Sequence, residues 1–271
     1  MKFPKYIYIP ILASALFLGS CKEKEKNIAS HETEIIDSDA LSPYKIKGKK
    51  LDPKYIEDKK RSLDLFFEKN WPNNSMNGSF LVAKNGKIIY EKYEGKSNFS
   101  TDEKIDATTP IHVASVTKVL TATAVLRLVD REKLSLEDKV NKILPSFPYE
   151  DITIKMLLNH RSGLPNYAYF ADDTKVWPRS KMLHNQDILD LLAKHKFGLY
   201  FKPDRKFGYC NTNYAILALV IEKVTGKNYR TAMKEMIFEP LGMKNTFVFD
   251  YEKHKDTASQ SYKGNKVLYE N

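Results

Sequence analysis

Apolar positions recur along the chain at two periods, and these periods divide it. In Gly78 to Lys84 (GSFLVAK) and Lys87 to Tyr93 (KIIYEKY) they run or alternate over a few residues between turn signals, which predicts two strands. Asn85-Gly86 between them is a strong hairpin signal, because a type I′ turn needs positive φ at both central positions. From about Ser115 to Asp130 the spacing lengthens, and Val116, Val119, Leu120, Thr123, Ala124 and Leu128 predict a helix with one apolar face. Upstream, Asp52-Pro53 opens another helix, with Asp as N-cap and Pro at the first helical position, and Leu63, Phe66 and Phe67 forming its later apolar face. Leu134 to Asp138 and Ile152 to Asn159 read as short helical pieces. The stretch 166–208, with Trp177-Pro178, reads as loop-rich. A helix from about Thr212 to Val224 places Tyr214, Leu217, Ala218 and Ile221 on one face and ends at Gly226, and a further helix covers about Tyr229 to Phe238 before Pro240. Strands thus come early and helices fill the middle. Two strands alone make a poor sheet, so the chain is expected to lack C-terminal strands.

The two ends of the pattern differ from its middle. Lys2 and Lys5 precede an apolar run from Ile7 to Leu18, too short to span a bilayer and laid out as a secretory leader. Leu18-Gly19-Ser20-Cys21 follows, the small-residue approach to a cysteine that marks a lipobox. The expected organisation is a lipoprotein signal peptide over 1–20, a flexible tether over 21–51 rich in Lys, Glu, Ser and Asp, and a folded domain over 52–271. Lipid on Cys21 would anchor the domain to a membrane in the bacterial cell envelope, periplasmic or outer-membrane-associated, at about 0.8 kcal/mol per buried methylene.

Composition narrows the class. At 42% hydrophobic and 29% charged residues the chain is ordinary globular protein. The net charge of +10 is spread rather than blocked, and there is no basic-aromatic array or zinc-finger spacing, so nucleic acid is not an expected partner. Cys21 and Cys210 are the two cysteines, so a lipidated Cys21 leaves Cys210 a lone thiol. The histidines show no metal spacing; no metal and no cofactor are expected, and the domain is expected to be a monomer.

The candidate chemistry begins at Ser115-Val116-Thr117-Lys118. Residues three apart share a helix face, so the lysine nitrogen can reach the serine hydroxyl. Serine is a weak nucleophile until a base takes its proton, and lysine can be that base only when neutral, a state that burial and the positive end of a helix favour. The backbone N–H of Ser115 is a candidate oxyanion donor. Tyr209-Cys210-Asn211 directly precedes the next strong helix. A phenol there could pass a proton to a leaving group, and the Asn211 amide could bond substrate or hold Lys118.

Four blocks together resemble the serine β-lactamase and penicillin-binding protein superfamily, in its class C β-lactamase-like branch. They are Ser115-Val116-Thr117-Lys118 with its apolar helix; Leu157-Leu158-Asn159-His160-Arg161-Ser162-Gly163-Leu164-Pro165; Phe207-Gly208-Tyr209-Cys210-Asn211-Thr212-Asn213-Tyr214; and Glu239-Pro240-Leu241-Gly242-Met243-Lys244-Asn245-Thr246. The resemblance runs from about Phe80 to Tyr262. It implies an α/β (α+β) fold, a β-lactamase/transpeptidase-like sandwich domain beside a helical domain. It also implies that Ser115 is acylated, that Lys118 is its base, that Tyr209 assists proton transfer and that Asn211 contacts the substrate amide. Whether Lys118 or Tyr209 takes the serine proton stays open.

Three departures qualify the resemblance. Cys210 stands where the family usually has a small residue such as Ser, and it reads as packing; a catalytic Cys210 partnered by His195 or His160 is the rival. Asp204 follows Pro203 where the family often has Gly. The family's final Lys- or His-x-Gly motif has no match, since Val224-Thr225-Gly226 is a helix end, so the chain is expected to be truncated at its C-terminus. Two functions follow. One is a serine acyl hydrolase acting on D-alanyl-D-alanine peptides of peptidoglycan, β-lactams or small esters. The other is a non-catalytic, lipid-anchored module that binds peptidoglycan or penicillin. His160 is read as structural.

Overall fold

The structure, a computed structural model, describes residues 49–72, 75–263 and 268. The leader over 1–20, Cys21 and the tether up to residue 48 lie outside the described residues. Helix α1 (Pro53–Asn70) starts as the sequence predicts, with the Asp52 carboxylate accepting from the Lys54 N–H at 2.9 Å. It packs on the hairpin of β1 (Gly78–Lys84) and β2 (Lys87–Glu94). Phe67 is fully buried there, its ring 6.0 Å from Phe80 of β1, and the Tyr90 hydroxyl of β2 donates to Asp64 at 2.7 Å. Phe66, expected on the same face, stays half exposed. Asn85 (φ 52°) and Gly86 (φ 72°) form the predicted turn, and a register shift between Val82 and Ala83 bends β1. A second small antiparallel pair follows, β3 (Lys96–Asn98) with β4 (Glu103–Lys104).

A 3₁₀ turn over Ala114–Val116 leads into α2 (Thr117–Asp130). The buried stripe of α2 is Thr121, Ala124, Val125 and Leu128, an i, i+3, i+4, i+7 set. Ala124 and Leu128 of the predicted face are buried, but Val116 and Val119 are exposed and Thr121 and Val125 are covered instead, so the buried stripe is rotated part-way round the helix from the predicted one. Leu134 to Asp138 is not helical; the chain turns there and then forms α3 (Val140–Ile143), with Lys139 bridged to Thr153 ahead of α4 (Ile154–Leu158).

The stretch 166–208 contains more regular structure than the sequence suggests. After α5 (Tyr167–Phe170) comes α6 (Asn185–His195), three turns long, burying Ile188, Leu189, Leu191 and Leu192. Its start is held by the Asp187 carboxylate, which accepts from the His184 N–H at 2.8 Å. A histidine in place of the usual capping residue, and the prolines before it, hid a helix whose apolar spacing was present.

Helix α7 (Asn211–Thr225) is the centre of the core. Ala215 to Ile221 is a continuous buried run, and α2, α4, α6 and α8 all pack against it. A helix buried on every side must be apolar all round. Full burial of a side chain such as Leu217 or Ile221 contributes roughly 1.5–3 kcal/mol. Gly226 (φ 68°) ends α7 in the left-handed cap that glycine accommodates. Helix α8 (Tyr229–Met233) continues into a π-helical turn over Lys234–Phe238, and α9 (Tyr251–His254) follows. The Tyr229 hydroxyl meets Thr121 Oγ1 at 2.6 Å, tying α8 to α2.

Candidate active site

The site forms where α2 begins and α7 begins. Ser115 lies in the 3₁₀ turn and Lys118 one turn later, which brings Lys118 Nζ to 3.0 Å from Ser115 Oγ. Ala114, directly before the serine, has φ 44°, a left-handed conformation that a β-carbon resists at about 1–2 kcal/mol. The sequence gives no sign of this strained entry. Lys118 is half-buried, less than expected, and its ammonium lies 5.2 Å from the Tyr209 ring centroid and 5.7 Å from that of Tyr214.

Tyr209 arrives from the segment before α7. Its hydroxyl is 2.8 Å from Ser115 Oγ, although the two residues are 94 apart in the chain. Ser115 Oγ is thus within hydrogen-bond reach of both an amine and a phenol. Lys118 beside it and the bond with Ser115 hold the Tyr209 phenol below the usual tyrosine range. Burial acts in the opposite direction elsewhere, as at Tyr149, pushed up to about 12. Asn211 opens α7, half-buried; its Oδ1 is shielded and has no hydrogen-bond partner among the described residues. An amide oxygen left without a partner in such a place is costly, and a small rotation of the side chain is needed before it can accept a hydrogen bond from a ligand.

Cys210, between them, faces the other way. It is 3% exposed, with Sγ 3.3 Å from the Leu164 carbonyl and 3.6 Å from that of Pro165. Burial pushes its thiol above the ordinary cysteine range, the opposite of what a thiolate nucleophile needs. His195, the other partner considered, stacks on Phe197 at 5.1 Å.

The two motif blocks over 157–165 and 207–214 brace each other. The Gly208 N–H donates to the His160 carbonyl at 2.8 Å, and the Cys210 N–H donates to His160 Nδ1 at 3.2 Å. The Ser162 hydroxyl donates to Asn213 Oδ1 at 2.7 Å, Thr212 Oγ1 donates to the Pro165 carbonyl at 2.7 Å, and the Tyr214 hydroxyl donates to the Leu158 carbonyl at 3.0 Å. Asp204 (φ 62°) occupies a glycine-like backbone position and pairs with Arg161. Gly163 (φ 77°) is required twice, since an added β-carbon would lie 2.1 Å from the Phe201 carbonyl oxygen. The sequence reads the His160 block as structural and does not show that His160 touches the tyrosine segment. Its signal was a polar run, Asn159 to Ser162, inside an apolar stretch. Among the described residues, no three His, Cys, Asp or Glu side chains gather as a metal site.

A helical body beside a small antiparallel sheet, with a Ser-x-x-Lys turn met by a tyrosine from a distant segment, defines an α/β protein of the β-lactamase/transpeptidase type. The chain belongs to the Beta-lactamase family, which residues 73–268 match. It is 36% identical over 196 residues to penicillin-binding protein 4* of Bacillus subtilis, a match covering 72% of this chain and 43% of that protein. Among solved structures it resembles a penicillin-binding protein from Bacillus halodurans, with TM-score 0.65, 25% identity, and coverage of 76% of this chain and 62% of that one. It also resembles a D-amino acid amidase from Ochrobactrum anthropi, with TM-score 0.52, 26% identity, and coverage of 68% and 50%. The chain spans less than half the length of the B. subtilis protein it matches.

Proposed function

We propose that the chain is a serine acyl hydrolase working through an acyl-Ser115 intermediate. The observation that carries this reading is the convergence on Ser115 Oγ of Lys118 Nζ at 3.0 Å and Tyr209 Oη at 2.8 Å. Ser115 Oγ adds to an acyl carbonyl carbon, and its proton passes to Lys118 or Tyr209. The tetrahedral intermediate collapses, the carbon–leaving-group bond breaks, and the leaving group takes a proton from Tyr209. Water then adds to the acyl carbon, its proton passing to Tyr209 or Lys118; the Ser115 Oγ–acyl bond breaks, Oγ takes the proton back and the carboxylic acid leaves. The depressed phenol of Tyr209 suits a group that must both accept and return a proton. In this reading Asn211 contacts the substrate amide, with its Oδ1, unpartnered among the described residues, in support.

The substrate class in this reading is a D-alanyl-D-alanine peptide, a β-lactam or a small ester. Support comes from the family and from relatives named for penicillin binding and for a D-amino acid amide. The same reading holds the chain to the bacterial envelope by lipid on Cys21, supported by the leader layout; an unmodified N-terminal peptide from envelope fractions would refute that part. The main test is intact mass after incubation with a penicillin and, separately, a fluorophosphonate. A single adduct from each, absent in Ser115→Ala, is expected. Penicillin retained without a covalent adduct in a folded sample overturns the hydrolase and leaves a binding module.

A further inference from the structure

His160 occupies an unusual position for a residue outside the catalytic convergence. It is buried, its backbone is left-handed (φ 57°), and its ring is packed against Tyr209, with centroids 4.6 Å apart. Histidine is among the few residues that tolerate that backbone region. The tautomer follows from the geometry. The Cys210 backbone N–H can only donate, so Nδ1 must accept and the ring proton must sit on Nε2. The Asn213 amide nitrogen, 3.1 Å away, is then a second donor to the same Nδ1. Turning that amide over would leave the Ser162 hydroxyl proton without its acceptor, Asn213 Oδ1.

A proton on Nδ1 would therefore face two donors at once. The neutral ring bonds the Cys210 N–H, and through it fixes the residue between Tyr209 and Asn211; the cation cannot. Of the groups around the ring, the Lys118 charge presses the same way. Helix α2 presents Lys118, the tyrosine segment presents Tyr209 and Cys210, and α7 presents Tyr214 and Asn213. Arg161 on its own loop is engaged by Asp204. Burial, and then the Lys118 charge, push the imidazole below the ordinary histidine range.

We infer that neutral His160 is a positioning residue that holds Tyr209 within reach of Ser115, and that protonating it releases the tyrosine segment and switches the site off in acid. This rests on the acyl-serine reading above. The linkage sign agrees. A histidine whose folded value is depressed stabilises the braced state above its unfolded value, near pH 6.5, and that stabilisation is lost as pH falls toward and through the folded value.

The test has two arms. In the full chain, NMR follows the His160 ring and the Cys210 amide from about pH 8 to 5. The Cys210 amide is expected to shift with the same midpoint as the imidazole while the rest of the spectrum stays dispersed. In the second arm, fluorophosphonate labelling of Ser115 is measured against pH in wild type and in His160→Asn. Asparagine tolerates positive φ and offers an acceptor to the Cys210 N–H, but it does not titrate. On the acid side the slope of log rate against pH should be shallower in the variant by about one unit, the share of a single proton. Equal slopes, or a Cys210 amide unmoved while His160 titrates, would overturn the inference. If neither protein labels at any pH yet the amide follows the imidazole, the acyl-serine reading fails and the brace stands. The NMR arm needs no variant, so a His160→Asn that fails to fold does not rescue the idea.

Discussion

Ser115 and Lys118 owe their approach to one helical turn, whereas Tyr209 reaches the same oxygen from another part of the chain. The first contact needs only residues 114–118. The second needs the 157–165 loop, the 207–210 segment and the start of α7 to stand in register, held by His160, Ser162, Asn213 and Thr212. The difference teaches where the site is vulnerable. Damage to the fold should separate the tyrosine from the serine long before it separates the lysine.

The largest effects come from removing either partner of the serine. Lys118→Ala and Tyr209→Phe should each slow labelling of Ser115 by about 10²–10⁴-fold, the usual yield of a positioned acid or base. Their combination sharpens the comparison. If the two groups work as one relay, the double variant should be scarcely slower than the worse single variant; if the effects multiply in full, the relay idea fails. Both side chains are at least partly exposed, so melting temperatures should stay near wild type.

Next comes a change aimed at the non-local half alone. Gly163→Ala sets a β-carbon on a left-handed backbone and against the Phe201 carbonyl, at a combined cost of about 2–5 kcal/mol. Chemical denaturation should report that loss. Labelling by a small fluorophosphonate should fall in the folded fraction as well, because Tyr209 is displaced while Lys118 is not. A Gly163→Ala protein with full stability would mean that the loop is held far more loosely than its bonds suggest.

The same divide explains what could be read in the sequence. Ser115, Lys118, the Asn85-Gly86 hairpin and the Asp52 cap are local: a spacing or a turn preference specifies each, and the structure has them where the pattern placed them. One edge of the α2 stripe was misjudged because Val116 and Val119 are as apolar as Val125, and only packing against α7 decides which are covered; Ala124 and Leu128 are buried as predicted. Helix α6 was missed because its N-cap is His184. Tyr209 and Asn211 stand out as candidates because they directly precede a strong helix, but their pairing with Ser115 came from the motif resemblance, since nothing local says that a tyrosine will meet a serine so far away. The partners of His160, read from the sequence as structural, were out of reach for the same reason: Cys210 and Asn213 lie about fifty residues later.

The smallest effect is expected at the residue between the two site side chains. Cys210 sits beside Tyr209 and Asn211 in the chain, yet its thiol points to the Leu164 and Pro165 carbonyls, and it is the backbone N–H that touches His160. Cys210→Ser keeps that N–H and nearly the same volume. The new hydroxyl can donate to the Leu164 carbonyl, which offsets its desolvation, so stability should move by no more than about 1 kcal/mol. Labelling of Ser115 should stay within about twofold of wild type, since no atom of the Ser115–Lys118–Tyr209 convergence changes. Collapse of labelling in a well-folded Cys210→Ser protein, with Ser115→Ala still labelled, would move the nucleophile to the thiol. Against that outcome stand the raised thiol and its burial: a group that must be charged to attack has been placed where charge is least welcome.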